Sequence, residues 1–259
     1  KKILILANSS GGLYDFRNDF VLGLLKDYEV YVSIPDEVKT KELAEEGCKI
    51  IKTPINRRGV NPVEDFKLFL AYRKLMKEIK PDLVATYTIK PNIYGGMAAQ
   101  SRKLPYIETI TGLGGAFDRK GLFLKLIVTL YRIGMKKAEC IFFQNRENRQ
   151  IFRDFGIEGK SECLVNGSGV DLIRHTFEPY PMDEKCQFLF VGRVMKERGI
   201  VEFLEAAKKL HSENVEFAIL GYCDEDYQQQ LDDLEKQGVI TQLGFHTEVH
   251  PYLKAASAI

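Results

Sequence analysis

The 259-residue chain is 45% hydrophobic and 28% charged, the composition of a globular protein able to build one large domain or two ordinary ones. Thirty-seven Lys and Arg against 36 Asp and Glu leave a formal charge of +1, which excludes a generally polybasic nucleic-acid binder. No apolar run reaches the ~18 residues of a membrane span, and the opening KKILILANSS is not expected to act as a secretory signal.

In chain order, KILILA (2–7) predicts the first strand. The turn after it, Asn8-Ser9-Ser10-Gly11-Gly12, has two open readings: a glycine-rich loop whose N–H groups approach a ligand anion, or a plain tight turn. A dinucleotide fingerprint is absent, since no GxGxxG can be drawn from residues 8–16 and Leu172 takes the third glycine's place after Gly167-Ser168-Gly169. Phe16, Phe20 and Leu24 recur at helical spacing within 15–26. EVYVSI (29–34) and CKIIKT (48–53) are the next strands. The loop after them carries Arg57 and Arg58, two cations at a strand's carboxyl end that suit an acceptor's diphosphate or simply face water. Asn61-Pro62-Val63-Glu64 then opens a helix with Asn as N-cap, Pro at N1 and Glu at N3.

DLVATY (82–87), PYIETI (105–110), ECIFFQ (139–144) and SECLV (161–165) complete the first set of strands. Several are apolar at consecutive positions, as parallel strands covered on both faces require. Lys90 and Asn92 follow the fourth strand and are expected to face the same cleft as Arg57 and Arg58. Residues 121–137 form a strongly apolar helix that suits either a packed core or a peripheral membrane contact, with Lys136 and Lys137 at its end. FEPYPMDEK, with two prolines and no period, reads as a linker over 177–185. Three further βα repeats follow: strands at 187–192, 215–220 and 239–244, and helices from Gly199, around 225–237 and around 247–257. The expected fold class is α/β, with a Rossmann-like domain over 1–176 and a second, incomplete one over 186–259; the sequence is expected to be the front part of a longer chain.

At the end of the eighth strand stand Gly192 and Arg193, and then Lys196, Arg198 and Gly199 at a helix start. Cations meeting the positive end of a helix at the carboxyl edge of a parallel sheet suit a diphosphate. This stretch, GRVMKERG, resembles the GR-x-x-x-x-K-G element of the family 4 glycosyltransferases, the retaining, GT-B-fold, nucleotide-sugar-dependent group. TYTIKPNIYGGMAA (86–99), TITGLGGAF (109–117), NGSGVDL (166–172) and ILGYCDED (219–226) resemble further parts of the subgroup that assembles capsule, O-antigen and related glycans on lipid carriers.

The resemblance implies a hexosyl or N-acetylhexosaminyl transfer from a nucleoside-diphosphate sugar, a co-substrate and not a cofactor, to a lipid-linked glycan. It implies that Arg193 and Arg198 hold the donor diphosphate, with Gly192 and Gly199 shaping that seat and Gly221 lying in the loop near the nucleotide. Arg198 stands where the family has Lys, and Thr111 where members often carry a donor-contacting His; Thr111, Arg57, Arg58, Lys90 and Asn92 are the expected sugar and acceptor side. The family's Glu-x7-Glu motif lies beyond the last residues here, so the catalytic residues stay unknown and this length of chain is expected to be inactive. A sugar-nucleotide 2-epimerase of the same fold and a non-catalytic glycan-binding fragment are the alternatives. No metal site is expected, because the four histidines show no ligand spacing. Five scattered cysteines fit a reducing cytosol, with any membrane contact on its inner face.

Overall fold

The computed structural model describes residues 1–259 except 57–60, 115, 116, 118–120, 174, 182–184, 224, 225 and 247. The chain forms two compact units, Lys1–Val170 and Asp171–Ile259. The strands of the first are β1 (Lys2–Leu6), β2 (Glu29–Ile34), β3 (Lys49–Lys52), β4 (Leu83–Tyr87), β5 (Tyr106–Ile110), β6 (Cys140–Phe143) and β7 (Glu162–Leu164). They pair in the order 3-2-1-4-5-6-7, each pair parallel. The helices are α1 (Ser10–Leu25), α2 (Thr40–Glu45), α3 (Pro62–Ile79), α4 (Gly96–Arg102) behind a π-helical turn at Pro91–Gly95, α5 (Leu122–Met135) and α6 (Arg146–Asp154).

The consecutive apolar residues of β1 are explained by its two covered faces. Leu4 and Leu6 join Leu68, Tyr72 and Met76 of α3, Tyr131 of α5 and Phe152 of α6 in one core, whereas Ile3 and Ile5 join Leu13 and Val21 of α1 and Leu43 of α2 in the other. The start of α3 is as its caps predict: Asn61 Oδ1 accepts from the N–H groups of Val63 and Glu64, and Pro62 opens the helix. Helix α1 departs from expectation. It starts at Ser10, five residues early, because Ser9 caps it, its Oγ accepting from Gly12 N–H at 3.2 Å. Its buried side is Leu13 and Val21, while Phe16 and Phe20 are exposed.

The second unit has β8 (Cys186–Val191), β9 (Val215–Leu220) and β10 (Thr241–Gly244), parallel in the order 10-9-8. Helices α7 (Ile200–Leu210) and α8 (Gln228–Lys236) cover one face through Ile200, Leu204, Leu231 and Leu234, which pack on Phe217 and Ile219. α9 (His250–Ala255) and the following Ala256 cover the other, over Leu189, Ala218 and Leu220. Beyond α9 the chain pairs with the open edge of β8, Leu189 N–H donating to Ala258 O at 2.9 Å. The two parallel α/β sheets are the Rossmann-like pair that the sequence predicts. All five cysteines are free.

Candidate functional site

In the first sheet β1 lies between β2 and β4, so the winding reverses there, and open α/β sheets bind ligands outside the carboxyl ends of strands at such a reversal. A cavity of about 360 Å³ occupies that position. It is lined by Asn8, Ser9, Gly12 and Arg17 after β1, Tyr87 at the end of β4 and Thr88 after it, Thr111 after β5 and Gln144 after β6, with Ser168. Of the residues singled out from sequence, the cavity brings together Gly12 and Thr111.

Gly11 and Gly12 are not a loop, as the sequence suggested. They are the second and third residues of α1, neither has a positive φ, and Leu13 N–H already donates to Ser9 O. The positive end of this helix has a resident anion: Asp36 Oδ1 accepts from Ser10 N–H at 3.0 Å and from the Ser10 hydroxyl. Ser10 Oγ in turn accepts from Lys39 N–H at 2.9 Å. A carboxylate therefore fills the place a ligand phosphate would take. A Cβ on Gly12 would come no nearer than 3.5 Å to Ser9 Cβ, so the protein's own packing does not demand glycine there.

Two lining residues escaped the sequence reading. Thr88 holds φ at 74°, a left-handed conformation that a β-branched residue rarely adopts, and its Oγ1 is buried without a hydrogen-bond partner among the described residues. Arg17 extends from α1 over the Tyr87 ring, its guanidinium 5.5 Å from the ring centre. Leu13, Phe16 and Arg17 stand at i, i+3 and i+4; a helix begun at Ser10 instead of residue 15 would have grouped them on one face. Thr88 left no signal, because its strain is backbone geometry set by the surrounding sheet.

Lys90 and Asn92 are placed elsewhere. Lys90 Nζ lies 2.7 Å from Asp65 Oδ1, both side chains nearly inaccessible, and the Tyr94 hydroxyl donates to Asp65 Oδ2 at 3.1 Å. Asn92 is buried; it accepts from Thr86 Oγ1 at 2.7 Å and donates to Thr109 O at 3.0 Å, tying β4 to β5. Neither lines the cavity. Arg57 and Arg58 lie outside the described residues.

The carboxyl rim of the second sheet has a different character. Gly192, Gly221 and Gly244 end its three strands with φ of 144°, 156° and 73°. At Gly221 the need is also steric, because a Cβ would come within 1.8 Å of Gly192 O. Val194 N–H donates to Tyr222 O at 2.9 Å, which fixes the Arg193 segment beside the chain leaving β9. Arg193 is half-buried and Arg198 exposed, the latter in a single 3₁₀ turn, Lys196–Arg198. Gly199, φ 80°, then caps α7 without offering any side-chain acceptor to its first N–H groups. A helix start without a side-chain cap, with cations ahead of it in the chain, is an arrangement that suits an anion. Among the described residues no group of three His, Cys, Asp or Glu is placed to hold a metal.

The family model described as glycosyl transferase 4-like matches residues 2–145, and that of glycosyl transferases group 1 matches residues 185–259. A Campylobacter jejuni N,N'-diacetylbacillosaminyl-diphospho-undecaprenol alpha-1,3-N-acetylgalactosaminyltransferase is 26% identical over 96% of this chain and 70% of its own length. The Escherichia coli UDP-Gal:alpha-D-GlcNAc-diphosphoundecaprenol alpha-1,3-galactosyltransferase is 25% identical over 77% of this chain, which spans 56% of that relative. Among solved structures, Anabaena HepE in complex with UDP-glucose superposes with a TM-score of 0.76 at 16% identity, over 98% of this chain and 72% of its own.

Proposed function

The chain belongs to the glycosyl transferase 4-like family, and from that premise we propose that it is part of a hexosyltransferase. The enzyme moves a hexose or N-acetylhexosamine from a nucleoside-diphosphate sugar to a glycan on a polyprenyl-diphosphate carrier. The observation that carries this reading is the anion seat at the start of α7, where Gly199 leaves the helix N–H groups without a side-chain cap and Arg193 and Arg198 precede them. Breaking the anomeric bond of a sugar nucleotide leaves negative charge on the diphosphate, and oriented N–H groups with guanidinium groups stabilise it as it forms. Arg193 and Arg198 are the donor-diphosphate residues of this proposal, with Gly192 and Gly221 keeping the rim low enough for the nucleotide. The cavity beside Thr111 receives a sugar.

A lipid-linked acceptor requires an approach to the membrane, and the outer face of α5 supports one. Leu122 and Ile133 are 85% and 50% exposed although Ile127, Val128 and Tyr131 of the same helix are buried. Phe66 and Phe69 of α3, with Met97, Leu126 and Leu130, line an apolar trough of about 360 Å³ beside it. No described helix is long and apolar enough to cross a membrane, so the contact proposed is peripheral. The test uses the product of the whole gene with UDP-N-acetylgalactosamine or UDP-galactose and an undecaprenyl-diphosphate-linked amino sugar. Mass spectrometry is expected to find the acceptor heavier by one hexosamine or hexose residue. An unchanged acceptor, with the sugar nucleotide epimerised at C2, would replace this reading with the epimerase.

A further inference from the structure

Among the described residues that line the cavity at the β1/β4 reversal, Arg17 is the one that is charged. Its Nη1 donates to its own neighbour, Phe16 O, at 2.9 Å, and the guanidinium lies over the Tyr87 ring. Among the described residues no carboxylate stands within ion-pair distance of it. Burial lowers its pKa, but a guanidinium does not give up its proton in a protein, so the charge stays and its hydration is what burial removes. A half-dry cation with no counter-ion among the described residues is unfavourable until an anion arrives.

The rest of the described lining is neutral: Asn8, Thr88, Thr111 and Gln144 offer hydrogen bonds, and Phe16 and Tyr87 offer ring faces. Neutral donors and acceptors next to an aromatic face suit a pyranose ring, and the single guanidinium suits one oxyanion attached to that ring. We propose that Arg17 is a specificity residue which selects an acid-bearing sugar in this cavity. The oxyanion is either a phosphate on the anomeric oxygen or the carboxylate of a uronic acid. This deepens the transferase reading, on which it rests, by naming the class of sugar that the first unit takes.

Calorimetric titration of the protein with N-acetylglucosamine, N-acetylglucosamine 1-phosphate and glucuronic acid tests it, with UDP as an independent ligand. One of the two anionic sugars is expected to bind at least about tenfold more tightly than the neutral sugar, and which one does so identifies the source of the charge. Arg17→Gln is expected to abolish that gain and Arg17→Lys to keep part of it, both with UDP affinity unchanged. An unchanged thermal melt shows that the first unit of each variant is folded. Equal affinity for all three sugars, or a gain that survives Arg17→Gln, would overturn the proposal. Failure of the transferase reading shows differently: the acceptor assay yields no product while the Arg17-dependent preference persists.

Discussion

The two units share one element, a helix starting at the carboxyl edge of a parallel sheet, and treat it in opposite ways. In the first, Asp36 and Ser9 already accept from the Ser10 and Gly12 N–H groups of α1, and beside it lies a cavity whose described lining is neutral apart from one guanidinium. In the second, Gly199 supplies no cap to α7, and Arg193, Lys196 and Arg198 lead into it. The units differ in their interiors too. The described residues that are both polar and buried, Ser10, Ser33, Thr53, Asp65, Thr86, Asn92 and Glu108, all belong to the first unit. A helix start is thus not a phosphate site by virtue of its dipole; what the neighbouring strands deliver to it decides.

The largest effect expected to sharpen this contrast is a pH response confined to the first unit. Glu108 is fully buried in β5, both carboxyl oxygens lack hydrogen-bond partners among the described residues, and burial raises its pKa well above 4.5. The folded protein keeps this proton while the unfolded chain loses it, so the first unit loses stability as pH rises from about 4.5, by up to about 1.4 kcal/mol per pH unit until the folded group ionises. Glu108→Gln is expected to remove that slope. Urea denaturation of both proteins between pH 4.5 and 7.5 checks it, and parallel curves would mean that the carboxyl group finds a partner in solution.

Next in size, Arg193→Ala is expected to weaken UDP binding about tenfold to a hundredfold, the loss of one charge-assisted contact, whereas Arg17→Gln leaves UDP unaffected. Equal losses in both variants would break the division of labour between the units. The smallest effect is Gly12→Ala. The methyl group fits the empty protein and improves the helix, so a gain in stability of up to about 1 kcal/mol is expected in thermal melts. The same methyl group enters the cavity, and sugar affinity should fall; a variant that is more stable and binds equally well would show that Gly12 lies outside the ligand's reach.

The alternation of strands and helices, both sheets being parallel, and the caps of α3 were legible in the sequence because each depends on neighbours a few residues apart. The same holds for the cations after β8. The composition of the first cavity was not legible. Asp36 reaches Ser10 across 26 residues, and Lys90 reaches Asp65 across 25. Which of several polar residues are consumed by one another, and which stay turned to a ligand, follows from such distant pairings. Lys90 and Asn92 looked available and are engaged in the protein's own bonds. Arg17 and Thr88 looked ordinary, yet they line the cavity. Local periodicity fixes the period of a chain segment and its polarity, but the sheet order decides which segments meet. Only the assembled sheet therefore set the charge of the cavity and the strain at Thr88.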